Sequence, residues 1–394
     1  MSELTAEEVR AALTPLLERR TTTTRTTTMG AGSDDLGAGR TYLAKMATGG
    51  WHTAGWPSEV GGRGADRAEA AMIAGVRREF VIPDLYPFGV GLDLVAPTIL
   101  AHGTAEQQQR WLPSIGNGSE IWCQMFSEPD AGSDLANVGL RAERDGDEWV
   151  LSGQKVWTSR GPYADWAICL ARTDPEVPKH AGLTMFAVKM SDPGVEVRPL
   201  VQMNGDSHFS EVFADDARVP DSQRLGDIGA GWKVTVTVLA FERASAGGGG
   251  GGGGSRGPVP TWLTDLADQL SSPVDRDRAM RVHADGMVAR WTGQRARAEA
   301  RAGGSPGPAG SGGKLRGVAT YNGRAALTTD LQGAKGMLTS AAGYIETMTA
   351  PSMSIRGGTD EIQRNILGER VLGLPGEPRA DRDRPWSESR TGGL

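Results

Sequence analysis

The chain has 394 residues, 42 Lys and Arg against 48 Asp and Glu, a formal charge of −6 and a pI near 5.6. This balance gives no electrostatic reason to expect a nucleic-acid partner or an anionic membrane surface, and no apolar run approaches the roughly 20 residues of a membrane span. Cys123 and Cys169 are too few for a disulfide framework or a thiolate metal site, and an N-terminus with Glu3, Glu7 and Glu8 is not a signal peptide. A cytoplasmic chain without a metal, long enough for two or three domains, is expected.

In chain order, residues 5–19 read as an amphipathic helix, with Thr5 and Glu8 offering a capping box and Val9, Leu13, Leu16 and Leu17 near one stripe. Residues 21–28 are seven threonines and one arginine, poor helix material because β-branched side chains lose rotamer freedom there, so an exposed loop is expected. Residues 64–80 and 90–113 return to helical spacing, giving a helical N-terminal domain over 1–119.

From about residue 120 the period becomes strand-like. Val138, Leu140 and Ala142 alternate with polar residues, Asp145-Gly146 makes a turn, and the chain returns through Trp149 and Leu151 to Trp157, a β-hairpin. Short runs at 166–171, 183–190, 195–200 and 211–213 follow, each bounded by turn residues. They predict a small barrel or sandwich over 120–231. From Trp232 the pattern is helical again, through Val234, Val238, Leu239 and Ala240-Phe-Glu-Arg243.

The unbroken glycine run at 247–254 should end that helix near Ala246, since each Gly costs about 1 kcal/mol relative to Ala, unless packing carries it further. A Gly- and Pro-containing loop at 303–313 separates a helix reaching 302 from another over 327–348. The result is a helical bundle over 232–394. The expected class is therefore α+β: helical, β, helical.

Three segments carry the chemistry. Cys123-Gln-Met-Phe-Ser-Glu-Pro-Asp-Ala-Gly-Ser-Asp134 is dense in turn residues, so the backbone bends and leaves N–H groups that can meet a phosphate or a heterocycle edge. Gly153-Gln-Lys-Val-Trp-Thr-Ser159 ends the hairpin. Ile355-Arg-Gly-Gly-Thr-Asp-Glu-Ile-Gln-Arg364 is a glycine turn entering a helix, with Asp360 and Gln363 as cap and third position. Taken singly, Ser127 and Ser159 would be turn or strand serines, Trp157 a core residue, Ser133 a turn partner of Asp134, and Glu242 a surface carboxylate paired with a basic neighbour.

Together these segments resemble the acyl-CoA dehydrogenases, as do Gly55-Trp-Pro-Ser-Glu-Val-Gly-Gly62 and Gly103-Thr-Ala-Glu-Gln107 upstream. The resemblance covers nearly the whole chain and implies that family's fold: helical domain, middle β-domain, helical bundle. It also implies FAD. Ser127 and Ser159 would hydrogen-bond the isoalloxazine ring, the second at its N5 edge; Trp157 would lie against the flavin; Gln124 would begin the flavin loop through its backbone; Thr359 and Glu361 would contact FAD. Ser133 would meet the phosphate-bearing part of CoA, and the Gly357 amide would polarise the thioester carbonyl.

The chain departs from the best-known members in having Gly357 where they carry the catalytic glutamate. A subset of the family places the base on the helix after the β-domain, next to an arginine. Leu239-Ala-Phe-Glu-Arg243 matches that arrangement, making Glu242 the candidate base and Arg243 its substrate-side neighbour. No Arg-x-x-Phe-Gly segment follows, so the residue reaching the FAD pyrophosphate is unassigned. The expected function is α,β-desaturation of an acyl-CoA, with an electron-transfer flavoprotein as acceptor and a homo- or hetero-oligomer, dimer or tetramer, as the assembly. A flavin oxidase or monooxygenase on the same fold, or a non-catalytic subunit of a hetero-oligomer, are the competing readings.

Overall fold

The structure, a computed structural model, describes residues 4–20, 35–249, 259–301, 308, 310–378 and 381–391. The threonine tract at 21–28 and residues 250–254 of the glycine run lie outside them. The chain divides into two compact units, one of Met1–Leu200, Ser207–Leu239 and Ala380–Leu394, the other of Val201–Asp206 and Ala240–Arg379.

In the first unit, α1 (Ala6–Leu13) begins at the expected capping box: the Thr5 N–H donates to Glu8 Oε2 at 2.8 Å and the Glu8 N–H to Thr5 Oγ1 at 3.3 Å. It is shorter than the 5–19 pattern and buries Val9 and Leu13. Then come α2 (Leu36–Ala47), α3 (Arg67–Arg77), a π-helical turn at Gly91–Val95, α4 (Ala96–His102) and α5 (Ala105–Gly116). The helix expected over 90–113 is thus interrupted. At Gly103 the backbone turns extended (ψ 151°), and Thr104 caps α5 with Gln107 completing the box.

The strands are β1 (Trp122–Met125), β2 (Arg141–Asp145), β3 (Glu148–Ser159), β4 (Trp166–Arg172), β5 (Leu183–Lys189), β6 (Val195–Leu200), β7 (Phe209–Pro220) and β8 (Arg224–Leu225). They form one sheet in the order β6-β7-β3-β2-β4-β5-β8, with β1 parallel to β4. The hairpin is β2/β3, with Ala142 opposite Leu151 and Gly146 at φ +62° in the turn. β7 is longer than the 211–213 run because it pairs with β3 on one side and β6 on the other. Trp149 on β3 and Phe186 on β5 have ring centroids 5.4 Å apart although two strands lie between them, so the sheet curls over its core. That core holds both cysteines as free, fully buried thiols, and burial raises the pKa of each, Cys169 to about 11. The helices dock on the sheet through Trp111, Trp122 and Trp166, with centroids 5.6 to 5.8 Å apart. Near the C-terminus, α12 (Trp386–Thr391) returns to this unit: the Trp386 indole N–H donates to Asn137 Oδ1 at 2.8 Å.

α6 (Gly231–Gly249) leads into the second unit and is helical through Gly249, past the expected stop near Ala246. The bundle continues with α7 (Thr261–Asp265), α8 (Pro273–Arg301), α9 (Gly310–Leu331), α10 (Tyr344–Met353) and α11 (Asp360–Arg370). The helix expected over 327–348 is two helices, because Gly333 (φ +53°) and Gly343 (φ +82°) adopt left-handed backbone between them.

One polar contact fixes the end of the sheet. Asp221 accepts from Arg224 Nε and from the Trp149 indole N–H, each at 2.8 Å, and these donors hold its carboxyl down at about 2. A depressed folded pKa stabilises fully above the ordinary carboxylate value and loses that stabilisation as pH falls toward about 2. Asp221→Asn should therefore cost about 1–2 kcal/mol near neutral pH, with half-exposure discounting the upper end. Urea unfolding of both proteins should show the gap closing between pH 4 and pH 2.

Candidate active site

The Cys123–Asp134 segment and the end of β3 are joined by a buried ion pair. Lys155, with no exposed surface, donates to Glu128 Oε1 at 2.8 Å and to the Phe126 carbonyl at 3.0 Å. Glu128 also accepts from the backbone N–H groups of Gly139 and Leu140, at 2.7 and 2.8 Å, so both carboxylate oxygens are satisfied by donors on the loop that leads into β2. The Val156 N–H bonds the Ser127 carbonyl at 2.9 Å, seating Ser127 on β3. Farther along the loop, Arg172 donates to the carbonyls of Ala136 and Val138 at 2.6 and 3.0 Å.

Past Lys155 the register of β3 against β7 shifts, Lys155 facing Val212 and Thr158 facing Ser210. In that bulge Trp157 has φ +61°, a left-handed backbone that a bulky residue rarely adopts, and its side chain is 58% exposed. The strain turns an indole outward that a regular strand would hold against its neighbours. Phe209 supports it edge-on, with centroids 5.9 Å apart. Ser127 and Ser159 are half-buried, and among the described residues neither hydroxyl has a hydrogen-bond partner; between Trp157 and Ser159, the buried Thr158 Oγ1 has none either. Gln124 is half-buried on β1, opposite Ile168, and Ser133 is exposed beside Asp134, whose carboxylate takes Lys179 at 2.8 Å.

In the second unit, Glu242 lies on α6 and Gly357 in the turn before α11. A Cβ built on Gly357 would stand 4.0 Å from Glu242 Oε1, so these two positions share one place. Gly357 and Gly358 have φ +65° and +85°, which suits glycine and strains any L side chain. The side chain of Arg243 lies outside the described residues. Thr359 caps α11, accepting the Ile362 N–H at 3.2 Å, which corrects the expectation that Asp360 is the cap. Asp360 instead takes Lys314 Nζ at 2.7 Å, while the buried Gln363 holds the Gly357 carbonyl at 3.0 Å. Glu361 is exposed and pairs with Arg364 at 3.2 Å.

The sequence reading missed Glu128, Lys155, Arg172 and Lys314 as supports. The first two stand inside the quoted motifs and could have been found as an opposite-charge pair where a β-hairpin meets a turn; nothing local marks Arg172 or Lys314. Removing one partner of a buried pair strands the other charge, so Lys155→Met should cost about 3–5 kcal/mol. The Glu128→Gln/Lys155→Met double variant should lose less than the sum of the two single changes. Guanidinium unfolding of the four proteins measures this.

Models of three acyl-CoA dehydrogenase domains match the chain in succession: the N-terminal domain at residues 6–119, the middle domain at 123–217 and the C-terminal domain at 229–372. Acyl-CoA dehydrogenase IpdE1 of Mycobacterium tuberculosis is 37% identical over 353 residues, covering 86% of this chain and 89% of that protein. Acyl-CoA dehydrogenase FadE34 of the same organism is 39% identical over 81% of this chain, which spans 44% of FadE34. Among solved structures, the "Tcur3481-Tcur3483 steroid ACAD" superposes with a TM-score of 0.72 at 28% identity, over 94% of this chain and 97% of that one. The ChsE4-ChsE5 complex from Mycobacterium tuberculosis does so with 0.66 at 29% identity, over 94% and 97%. The chain belongs to the acyl-CoA dehydrogenase family, flavoprotein oxidoreductases acting on the CH–CH group.

Proposed function

We propose that this chain is an FAD-dependent acyl-CoA dehydrogenase whose base is Glu242. The observation that carries the proposal is the position of the Glu242 carboxylate, 4.0 Å from where a side chain at Gly357 would begin. The usual base would project from that point. A glutamate at 357 would need left-handed backbone, costing roughly 1–2 kcal/mol, whereas α6 offers a carboxylate on relaxed helical backbone.

The residues of the first unit fit a flavin. Half-buried Ser127 and Ser159 hydroxyls, and the orphaned Thr158 Oγ1 between two of the motif residues, are polar groups awaiting a partner, and an outward indole at Trp157 offers a face for a planar ring. In this reading Gln124, Ser127, Trp157 and Ser159 hold the ring, with Thr359 and Glu361 as further FAD contacts. Bound FAD supplies the two-electron acceptor for the hydride that leaves the β-carbon.

The chain's own part is proton transfer and charge stabilisation. Glu242 takes the α-proton of the thioester. As it leaves, negative charge builds on the carbonyl oxygen, and the Gly357 N–H, which has no hydrogen-bond partner among the described residues, is a donor for that charge. In this reading Ser133 meets the phosphate-bearing part of CoA, and Arg243 is a further substrate residue beside the base. A lipid-derived acyl group, an oligomer with a like or unlike subunit, and an electron-transfer flavoprotein as reoxidant complete the proposal; the neighbouring steroid ACAD and ChsE4-ChsE5 complexes are precedents for paired assembly.

Glu242→Gln should retain visible flavin absorbance and acyl-CoA binding while slowing anaerobic flavin bleaching by about 10²–10⁴. Bleaching as fast as in the parent would sink the assignment of the base. Reconstituted protein without flavin absorbance would remove FAD, and a non-catalytic subunit would bind flavin yet never bleach, in the parent or in Glu242→Gln.

A further inference from the structure

A second polar feature adjoins Ser159. Arg160 follows it with φ +68°, and this left-handed residue turns the guanidinium inward, where it stands over the Tyr86 ring at 4.0 Å. The Arg160 N–H is fixed on the His208 carbonyl at 3.1 Å. The residue is only 9% exposed, yet its Nε has no hydrogen-bond partner among the described residues. Buried arginine donors without an acceptor are costly and call for one.

The facing carboxylate comes from the π-helical turn Gly91–Val95, closed by the Ala96 N–H on the Gly91 carbonyl. Such single turns insert an extra residue and often mark functional sites. Asp93 sits in it with water-accessible surface, while enough protein surrounds its carboxyl to raise its pKa by desolvation, against the lowering effect of Arg160. Asp93 is thus open to solvent on one side and faced by Arg160 on the other. Between the two groups is Gly89. A Cβ there would meet Arg160 Nη2 at 3.6 Å and Asp93 Oδ2 at 3.8 Å, and the two side chains do not close on each other as an ion pair. Gly89 has ordinary helical backbone (φ −61°), so no conformational demand requires a glycine here. What its hydrogen preserves is space.

Resting on the acyl-CoA dehydrogenase reading, which puts the reacting flavin edge at Ser159, we infer that Arg160 and Asp93 recognise a hydroxyl group on the acyl moiety, received in the space above Gly89. The elimination is chemical. A carboxylate would meet Asp93, an ammonium would meet Arg160, and an alkyl group would leave both charges desolvated without a partner. A hydroxyl accepts from the guanidinium and donates to the carboxylate at once. Arg160 and Asp93 are thus specificity residues, and the Tyr86 ring positions the guanidinium.

The test is binding to the FAD-reconstituted protein, by calorimetry, of 3-cyclohexylpropanoyl-CoA and its ring-hydroxylated regioisomers. At least one hydroxy isomer should bind about tenfold or more tightly than the parent thioester. Asp93→Ala, at an accessible position, should bring that ratio close to one; Gly89→Ser, which fits the backbone and fills the space with the protein's own hydroxyl, should do the same. No preference for any isomer, or a preference untouched by both variants, overturns the inference. Because the readout is affinity, a protein that discriminates the hydroxyl but never bleaches its flavin would retire the dehydrogenase reading and leave the hydroxyl site standing.

Discussion

The motif loop after β1 and the end of β3 depend on one buried ion pair. Desolvating Glu128 and Lys155 costs several kcal/mol per charge, of the order of what their attraction returns, and hydrophobic packing alone would serve the core as well. What the pair supplies is conformation. Glu128 collects Lys155 and two consecutive backbone N–H groups, while Lys155 also takes the Phe126 carbonyl, so a loop with little apolar content of its own is held at two points to β3 and at two more to the segment entering β2. Ser127, the bulge at Trp157 and Ser159 lie along that seam.

The strained positions follow the same logic. Trp157 and Arg160 both have left-handed backbone within four residues of each other, and a sheet that binds them less tightly would relax both. Their strain is held because the β3–β7 ladder resumes past the bulge, Thr158 facing Ser210 and Ser159 facing Phe209, and the Arg160 N–H is fixed on the His208 carbonyl. The Trp157 indole is thereby aimed outward and the Arg160 guanidinium inward over Tyr86.

Much of this fold was legible in the sequence where local rules suffice: the Thr5 and Glu8 box, the hairpin turning at Gly146, the change of period near 120, and the strand at 195–200. It was less legible where a partner distant in sequence decides. Asp360 has the composition of a cap, but Lys314, 46 positions away, takes its carboxylate and leaves capping to Thr359. β7 extends beyond its apolar run because two neighbours supply its ladder, and α6 stays helical into its glycines against their propensity. At the candidate site the motifs named the residues, while the proximity of Glu242 to Gly357 and the opposed pair at Arg160 and Asp93 required coordinates.

The free thiols in the sheet core have a use that the chemistry of the site does not touch. Cys123 and Cys169 stand on neighbouring parallel strands, are shut off from solvent and are held protonated by burial. An alkylating reagent meets neither until β1 and β4 come apart, because only the exposed thiolate reacts. The chain thus carries its own clock for opening of the sheet: the rate at which native protein takes up a thiol label reports how often the scaffold beneath the motifs breathes, without any added probe.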